Sequence, residues 1–237
     1  MSEADRLLVS LCTFNERDNL ATLIPEIWNF VPHAEILIVD DNSPDGTGQL
    51  VDEWVARDSR VHVVHRPGKL GLGTATLAAL AYAVEHDFSL VLNLDADFSH
   101  PPRFIPSILA ASATADVVIG SRYVVGGGAV GWGLRRHLMS RAINTYARVL
   151  LGLKTRDNSG AYRCYRVAKL RELKFNRFLA RGYAIQEELL YRCRKIGCRF
   201  AEVPIVFEER RYGQSKINLG EAFAAGWIIL RLAVMGP

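Results

Sequence analysis

The chain has no C-x-x-C pair and no His/Cys cluster at zinc-finger spacing, which excludes a thioredoxin-like dithiol and a structural zinc finger. Its four cysteines, Cys12, Cys164, Cys193 and Cys198, are scattered and read as reduced thiols of a cytosolic protein. The N-terminal MSEADRLLVS lacks a basic region and a long apolar run, so a signal peptide is not expected. No stretch of about 18 uninterrupted apolar residues occurs, which argues against a complete transmembrane helix. Charge of one sign is not in large excess: the net charge is +4 over 237 residues. That excludes a dedicated nucleic-acid binder, and no nucleic acid is expected as partner. The mild basic surplus suits a phosphate-rich ligand or an anionic membrane surface. The six histidines are dispersed, and no pattern marks His100 as a ligand or base. Repeats, low-complexity segments and linkers are absent, so a single domain over 1–237 is the economical reading.

What is present is a large apolar fraction, 49 %, enough for a sizeable core. Short apolar runs alternate with helix-length segments. LLVSLCTF (7–14), AEILIVDD (34–41), VHVVHR (61–66), SLVLNLDAD (89–97) and ADVVIGSRY (115–123) read as strands. Between them lie apolar residues at helical spacing, in 19–31, 47–58, 74–87 and 101–113. The strand runs are continuously apolar, the pattern of strands covered by helices on both faces. Strand–helix alternation predicts a doubly wound, mostly parallel α/β sheet of Rossmann-like type. The second half adds a helix over 134–153, a strand in SGAYRCYR, a helix closed by Gly197, a strand in RFAEVPIVFEER and an apolar C-terminal helix.

In such sheets ligands bind beyond the carboxyl ends of the strands. Here those ends read CTFNE, VDDNSPDG, HRPGKLGLG, DADFSH and GSRY, and polar residues collect in them. The fourth run carries Asp95 and Asp97. Residues two apart on an extended chain point the same way, so the two carboxylates can aim at one point. Close carboxylates repel unless a cation lies near, and hard oxygen ligands suit Mg²⁺ or Mn²⁺ bridging to substrate phosphate. The motif alone is equally compatible with solvated turn acids. The prolines that follow start the next helix, as proline does in a first turn.

TFNERDNL, VDDNSPDGT, GKLGLG, DADFSHPP, GSRY, SGAYRCYR and RRYGQSKI follow one another in this order. In them the chain resembles the inverting GT-A glycosyltransferases of family 2, and within these the dolichyl-phosphate (polyprenyl-phosphate) mannose synthases, from about residue 7 to about residue 217. The resemblance implies a GT-A fold with a C-terminal helical and loop elaboration. It divides the domain into a nucleotide-sugar half (about 1–123), an acceptor half (about 124–216) and an apolar helix (about 217–237). It implies metal-dependent, inverting transfer of mannose from GDP-mannose to dolichyl or polyprenyl phosphate.

The same resemblance assigns residues. Asp95 and Asp97 hold a Mg²⁺ or Mn²⁺ ion and the nucleotide diphosphate, and Ser99 stands where some relatives have a further metal ligand. Cys12, Phe14, Glu16, Val39, Asp41 and Ala96, with Arg210 and Lys216, line the nucleotide sugar. Relatives often have proline at the position of Cys12 and tyrosine at that of Phe14; core packing is the alternative for the Phe14 ring. Asp40 can instead be structural, and Asp45 and Gly46 are turn residues. Arg122, counted with Asp95 and Asp97 as catalytic, joins Arg136, Ser140 and Asn144 at the acceptor phosphate; the last three are spaced four apart on one helix face. The bland alternative is a solvated basic face. Gln186 and Glu188 fall in a helix the family also has, and a helix-surface role serves them equally well.

GKLGLG lacks the full G-x-G-x-x-G pattern and follows the third strand, which argues against dinucleotide binding; its glycines permit close backbone approach or a tight turn. A lipid acceptor requires a membrane surface, reached through the 134–153 helix, through the C-terminal helix, or with a membrane-anchoring subunit. The protein would then be cytoplasmic and peripherally attached. The apolar stretch Ala222–Met235 is interrupted by Arg231 and suits an interface; docking on the protein's own core is the alternative. Three rival functions remain: a UDP-glucose-dependent polyprenyl-phosphate glucosyltransferase, a non-catalytic nucleotide- or lipid-binding relative, and an aspartate-dependent phosphohydrolase. The last would need its nucleophile after the first strand, where this chain has TFNE.

Overall fold

The computed structural model describes residues 6–210 and 219–236. Four Val/Ile/Leu-rich segments form the parallel half of the sheet: β1 (Leu7–Thr13), β2 (Glu35–Asp40), β3 (Val61–His65) and β4 (Leu90–Asp95). They are linked by α1 (Arg17–Phe30), α2 (Thr47–Arg57) and α3 (Leu72–Glu85). A short 3₁₀ turn opened by Pro102 leads into α4 (Ile105–Ala111) and β5 (Val117–Ser121). Beyond it lie β6 (Gly128–Ala129), α5 (Leu134–Leu151), β7 (Arg163–Arg166), α6 (Val167–Leu170), α7 (Ile185–Lys195), β8 (Phe200–Pro204), β9 (Val206–Phe207) and α8 (Leu219–Met235).

The seven-stranded sheet has the order β3-β2-β1-β4-β7-β5-β8. All neighbours pair in parallel except β7, which runs antiparallel between β4 and β5. Because β7 reverses direction between them, β4 and β5 are parallel, and the ends of β1, β2, β3, β4 and β5 lie on one edge. Two apolar cores, one on each face, explain the unbroken hydrophobic runs. One is filled by Leu20, Leu23, Ile24 and Ile27 of α1 with Ile105 and Ile108 of α4. The other is filled by α3, α7 and the inner side of α8.

Two expectations change. The fourth strand ends at Asp95, so Asp97 lies in the turn beyond it and the strand-alternation argument for paired carboxylates does not apply. The segment SGAYRCYR is a strand only over its last four residues, inserted antiparallel into the sheet.

The apolar C-terminal helix divides its faces. Ala225, Ile229 and Leu232 are buried in the core, while Phe223, Trp227, Leu230, Val234 and Met235 are exposed. It also touches α5, where Tyr146 Oη donates to the Gly226 carbonyl at 3.3 Å. Among the described residues no helix is long and apolar enough to cross a membrane.

Candidate active site

Three strand ends carry a non-glycine residue in the left-handed region: Asn15 after β1 (φ 62°), Asn42 after β2 (φ 55°) and Phe98 after β4 (φ 66°). Asparagine tolerates that region, whereas a bulky residue such as phenylalanine is held there only by its surroundings. The edge of the sheet is thus a row of sharp, determined turns.

On the β1–β2–β3 side, Phe14 is half-buried and Lys69 Nζ stands 4.7 Å from its ring centroid, a cation–π arrangement. Its ring lies at the sheet edge beneath Lys69, outside both apolar cores. Glu16 accepts from Asn19 Nδ2 at 2.7 Å. Asp40 is consumed structurally, accepting from Thr13 Oγ1 at 2.9 Å and the Ser43 amide at 3.0 Å. Asp41 is buried with Oδ1 2.9 Å from Arg66 Nη1, in an orientation that makes no hydrogen bond. Its carboxyl is pushed above the usual range by burial, with Arg66 opposing that shift. The Cys12 thiol is pushed up to about 12 by burial and is no nucleophile. Val39, expected to line the nucleotide sugar, is instead fully buried in an apolar core. Glycine in GKLGLG serves chain packing: a Cβ on Gly71, at φ +99°, would lie 2.5 Å from the Arg181 carbonyl oxygen.

At the end of β4, the Asp95 amide donates to His100 Nδ1 at 3.0 Å. That nitrogen is then an acceptor, and burial holds the imidazole below its ordinary pKa. His100 is therefore neutral, and its Nδ1, 3.5 Å from Asp95 Oδ2, does not compensate the carboxylate. Burial pushes the Asp95 carboxyl above the usual range, and the Asp97 charge adds to the shift. Ala96 is buried between the two acids. Asp97 Oδ1 accepts from the Ser99 amide at 3.0 Å, and Asp97 Oδ2 lies 3.1 Å from Arg210 Nε. Ser99 Oγ is buried without a hydrogen-bond partner among the described residues.

Among the described residues no three His, Cys, Asp or Glu side chains converge on one point. The protein offers two carboxylates and one orphan hydroxyl. Such a set fits a hard divalent cation that takes its remaining ligands from phosphate oxygens and water. It does not suit a closed zinc site.

The basic side of the edge is built by β5, α5 and the small β6–β9 ribbon. Pairing of Ala129 with Phe207 brings Trp132 and Phe207 into edge contact at 5.2 Å between centroids. Arg122 lies over both rings, and Arg136 stands 4.2 Å over Trp132. The Arg136 guanidinium is pushed below its ordinary pKa by burial and by the positive charges of Arg210 and Arg122. Three guanidiniums thus crowd one hollow, Arg210 paired with Asp97 and Arg122 with Asp157.

Ser140 Oγ accepts from Tyr123 Oη at 2.6 Å. Asn144 is saturated: Nδ2 donates to Ser140 O and Ser159 Oγ, and Oδ1 accepts from the Asn158 and Ser159 amides. The three residues do share the inward face of α5, but Asn144 there braces the 157–160 turn. Lys216 lies outside the described residues. Glu188 accepts from the amides of Leu179 and Ala180 and from Arg192 Nε, and Gln186 is buried with its carbonyl taken by Arg163. Glu188 is structural, and Gln186 Nε2 is buried without a hydrogen-bond partner among the described residues.

Sequence reasoning missed Trp132, Phe207, Arg66, Lys69 and Asp157. Lys69 and Arg66 sit in strand-end motifs and could have been found by position. Trp132 and Phe207 carry no signal, because a two-residue strand pairing 78 positions apart brings them together.

The family described as Glycosyl transferase family 2 matches residues 9–174. An undecaprenyl-phosphate mannosyltransferase of Micrococcus luteus is 40% identical over 215 residues, covering 91% of this chain and 88% of that protein. A polyprenol monophosphomannose synthase of Mycolicibacterium smegmatis is 42% identical, covering 90% and 81%. Among solved structures, glucosyl-3-phosphoglycerate synthase from Mycobacterium tuberculosis, in complex with Mn²⁺, uridine diphosphate and phosphoglyceric acid, superposes with a TM-score of 0.70. That match is 20% identical and covers 98% of this chain and 78% of that one, a likeness of fold.

Proposed function

The chain belongs to glycosyl transferase family 2 and has the GT-A fold, and from that premise we propose that it transfers mannose from GDP-mannose to a polyprenyl (dolichyl-type) phosphate with inversion. The observation that carries the reading is the juxtaposition on one sheet edge of the Asp95/Asp97 turn with the Arg122–Arg136–Arg210 cluster. An acid pair beside three clustered guanidiniums suits two phosphate ligands, one bridged to a cation and one not. Two relatives at about 40% identity, both named for polyprenyl phosphate and mannose, support the choice of acceptor and sugar.

Asp95 and Asp97, with Ser99 beside them, would hold Mg²⁺ or Mn²⁺, which when bound neutralises charge on the leaving diphosphate. Phe14 and Lys69 would flank the base, and Asp41 with Glu16 would meet the nucleoside. Arg122, Arg136 and Ser140 would orient the acceptor phosphate toward the anomeric carbon. A phosphate is already ionised near neutral pH, with a second pKa near ~6, so no protein base is required. Fixed guanidiniums then supply the acceptor's orientation and the electrostatic stabilisation.

The acceptor's lipid tail implies peripheral contact with a membrane. Leu134, Leu138, Met139 and Val149 on α5, and Phe223, Trp227, Val234 and Met235 on α8, are exposed apolar residues that support this. On α5 they are flanked by exposed Arg135, Arg141 and Arg148, the composition of an interfacial helix. A separate membrane-anchoring subunit is an alternative occupant of the same faces.

The test is transfer of labelled sugar to a short polyprenyl phosphate, with GDP-mannose and UDP-glucose in parallel. Product from GDP-mannose alone, abolished by a chelator and restored by Mg²⁺ or Mn²⁺, is expected. Product from UDP-glucose alone would move the specificity. Product that persists in chelator would sink the metal assignment.

A further inference from the structure

Arg122 does not hang freely in the basic hollow. Its backbone amide donates to Asp157 Oδ2 at 2.9 Å, its Nε to the same oxygen at 2.7 Å and its Nη2 to Oδ1 at 2.7 Å. Nη2 also reaches Ser159 Oγ at 3.0 Å. Nη1 is the one guanidinium nitrogen with no hydrogen bond among the described residues. The Asp157 side chain is wholly buried and the Arg122 side chain is 8 % exposed, so little water competes for the pair.

Asp157 is itself fixed from three elements. Its amide donates to Glu202 of β8 at 3.0 Å, and its Oδ1 accepts from the Gly160 amide at 3.0 Å. The next two amides are held by Asn144 of α5. Ser159 Oγ then joins Asn144 to Arg122. The 157–160 turn therefore ties Arg122 after β5, Glu202 of β8 and Asn144 of α5 together. Such bracing exceeds what a surface arginine needs for solubility, and it spends three of the guanidinium's five N–H groups.

We propose that Asp157 is a positioning residue for the reaction: it locks the Arg122 fork so that only the Nη1 edge faces the hollow, oriented toward the acceptor phosphate. The idea rests on the reading of that hollow as a phosphate site. A bidentate carboxylate clamp keeps a guanidinium in one plane, and the plane decides which oxygen it can meet. Asp157 also offsets one of the three crowded positive charges, so that the hollow takes a monoester phosphate without collecting every passing anion.

The experiment uses Asp157→Asn in the full chain, with binding of citronellyl phosphate by calorimetry and transfer kinetics measured on the same preparations. The expected result is a folded variant whose affinity for citronellyl phosphate and kcat/KM for the acceptor fall roughly 10- to 100-fold. GDP affinity and the donor KM stay within about twofold, a split that a general structural defect does not produce. Ser159→Ala, which removes the Ser159 Oγ bonds to Arg122 Nη2 and Asn144 Nδ2 but leaves the Asp157 clamp, should move the acceptor constants in the same direction by a few-fold. A folded Asp157→Asn with unchanged acceptor constants overturns the proposal, as does an equal loss of donor and acceptor binding. Should Asp157→Asn fail to fold, unchanged acceptor binding in Ser159→Ala overturns it. Should the wild-type chain bind citronellyl phosphate but transfer no sugar, the proposed reaction falls while the binding comparison still tests Asp157. Should it bind none, both fall.

Discussion

The backbone N–H of Asp95 points into the imidazole of His100, 3.0 Å from Nδ1, so the first acid of the turn is anchored by its main chain. His100 is in turn gripped by the rings of Tyr162 and Phe207, 5.1 and 5.4 Å away between centroids. Phe207 also supports Trp132, so one aromatic stack links the acid turn to the arginine hollow.

Replacing that histidine tests the anchor. His100→Phe keeps a ring against Tyr162 and Phe207 but strands the Asp95 amide. An unmet buried donor costs about 1–3 kcal/mol. Urea unfolding should record a loss of that order, and sugar transfer should fall with the displaced turn. Unchanged stability would show that the amide finds another partner.

A pH dependence follows from Glu187. This carboxyl is buried, Oε2 has no partner among the described residues, and burial pushes its pKa up to about 7 from an ordinary 4.5. Between those values the folded chain keeps a proton that the unfolded chain has released. Its contribution is complete below about 4.5 and is lost as the pH rises through about 7. Glu187→Gln should match the wild type near pH 5 and exceed it at pH 8, by up to about 3 kcal/mol. Urea unfolding at the two pH values checks this; parallel curves would refute it.

Membrane contact has its own test. Trp227 and Leu138 are 66% and 58% exposed, so Trp227→Asp and Leu138→Asp should leave folding intact. Each should lower co-sedimentation with anionic vesicles several-fold by the loss of buried apolar surface and the added negative charge. Raised salt should weaken the wild type as well. Binding that ignores both substitutions would assign these faces to something other than lipid.

The glycine loop makes a sharper stability prediction. A Cβ at Gly73 would lie 2.7 Å from the Ala180 carbonyl oxygen, and the Gly73 amide donates to Arg181 O at 2.8 Å. Backbone must move to admit a methyl group. Gly73→Ala should therefore cost roughly 1–3 kcal/mol despite alanine's better helix propensity, lowering Tm by several degrees. A higher Tm would mean that the 180–181 loop yields freely.

Much of the fold was written in local pattern. Short, mostly apolar runs bounded by turn signals read as strands covered by helices, and all of β1–β5 lie where those runs predicted them. The strand-end rule then located one site edge, on which Asp95, Arg122 and Phe14 each follow or end a strand, while their roles came from the family resemblance. The acid motif was legible, but its geometry was not. Asp97 falls in a turn fixed by a left-handed Phe98 and by His100, contacts that alternation along a strand cannot foresee.

By itself, then, the sequence determined the layers of the sheet, the edge that carries polar residues and the positive character of the second half, since these follow from period, propensity and charge along the chain. Only the tertiary structure decided how the second half completes the site. An antiparallel β7 wedges between β4 and β5, a two-residue ribbon brings Trp132 under Arg136, and Asp157 meets Arg122 across 35 positions of chain. Those contacts depend on where separated segments come to rest after the cores close, and no local property of either partner encodes them.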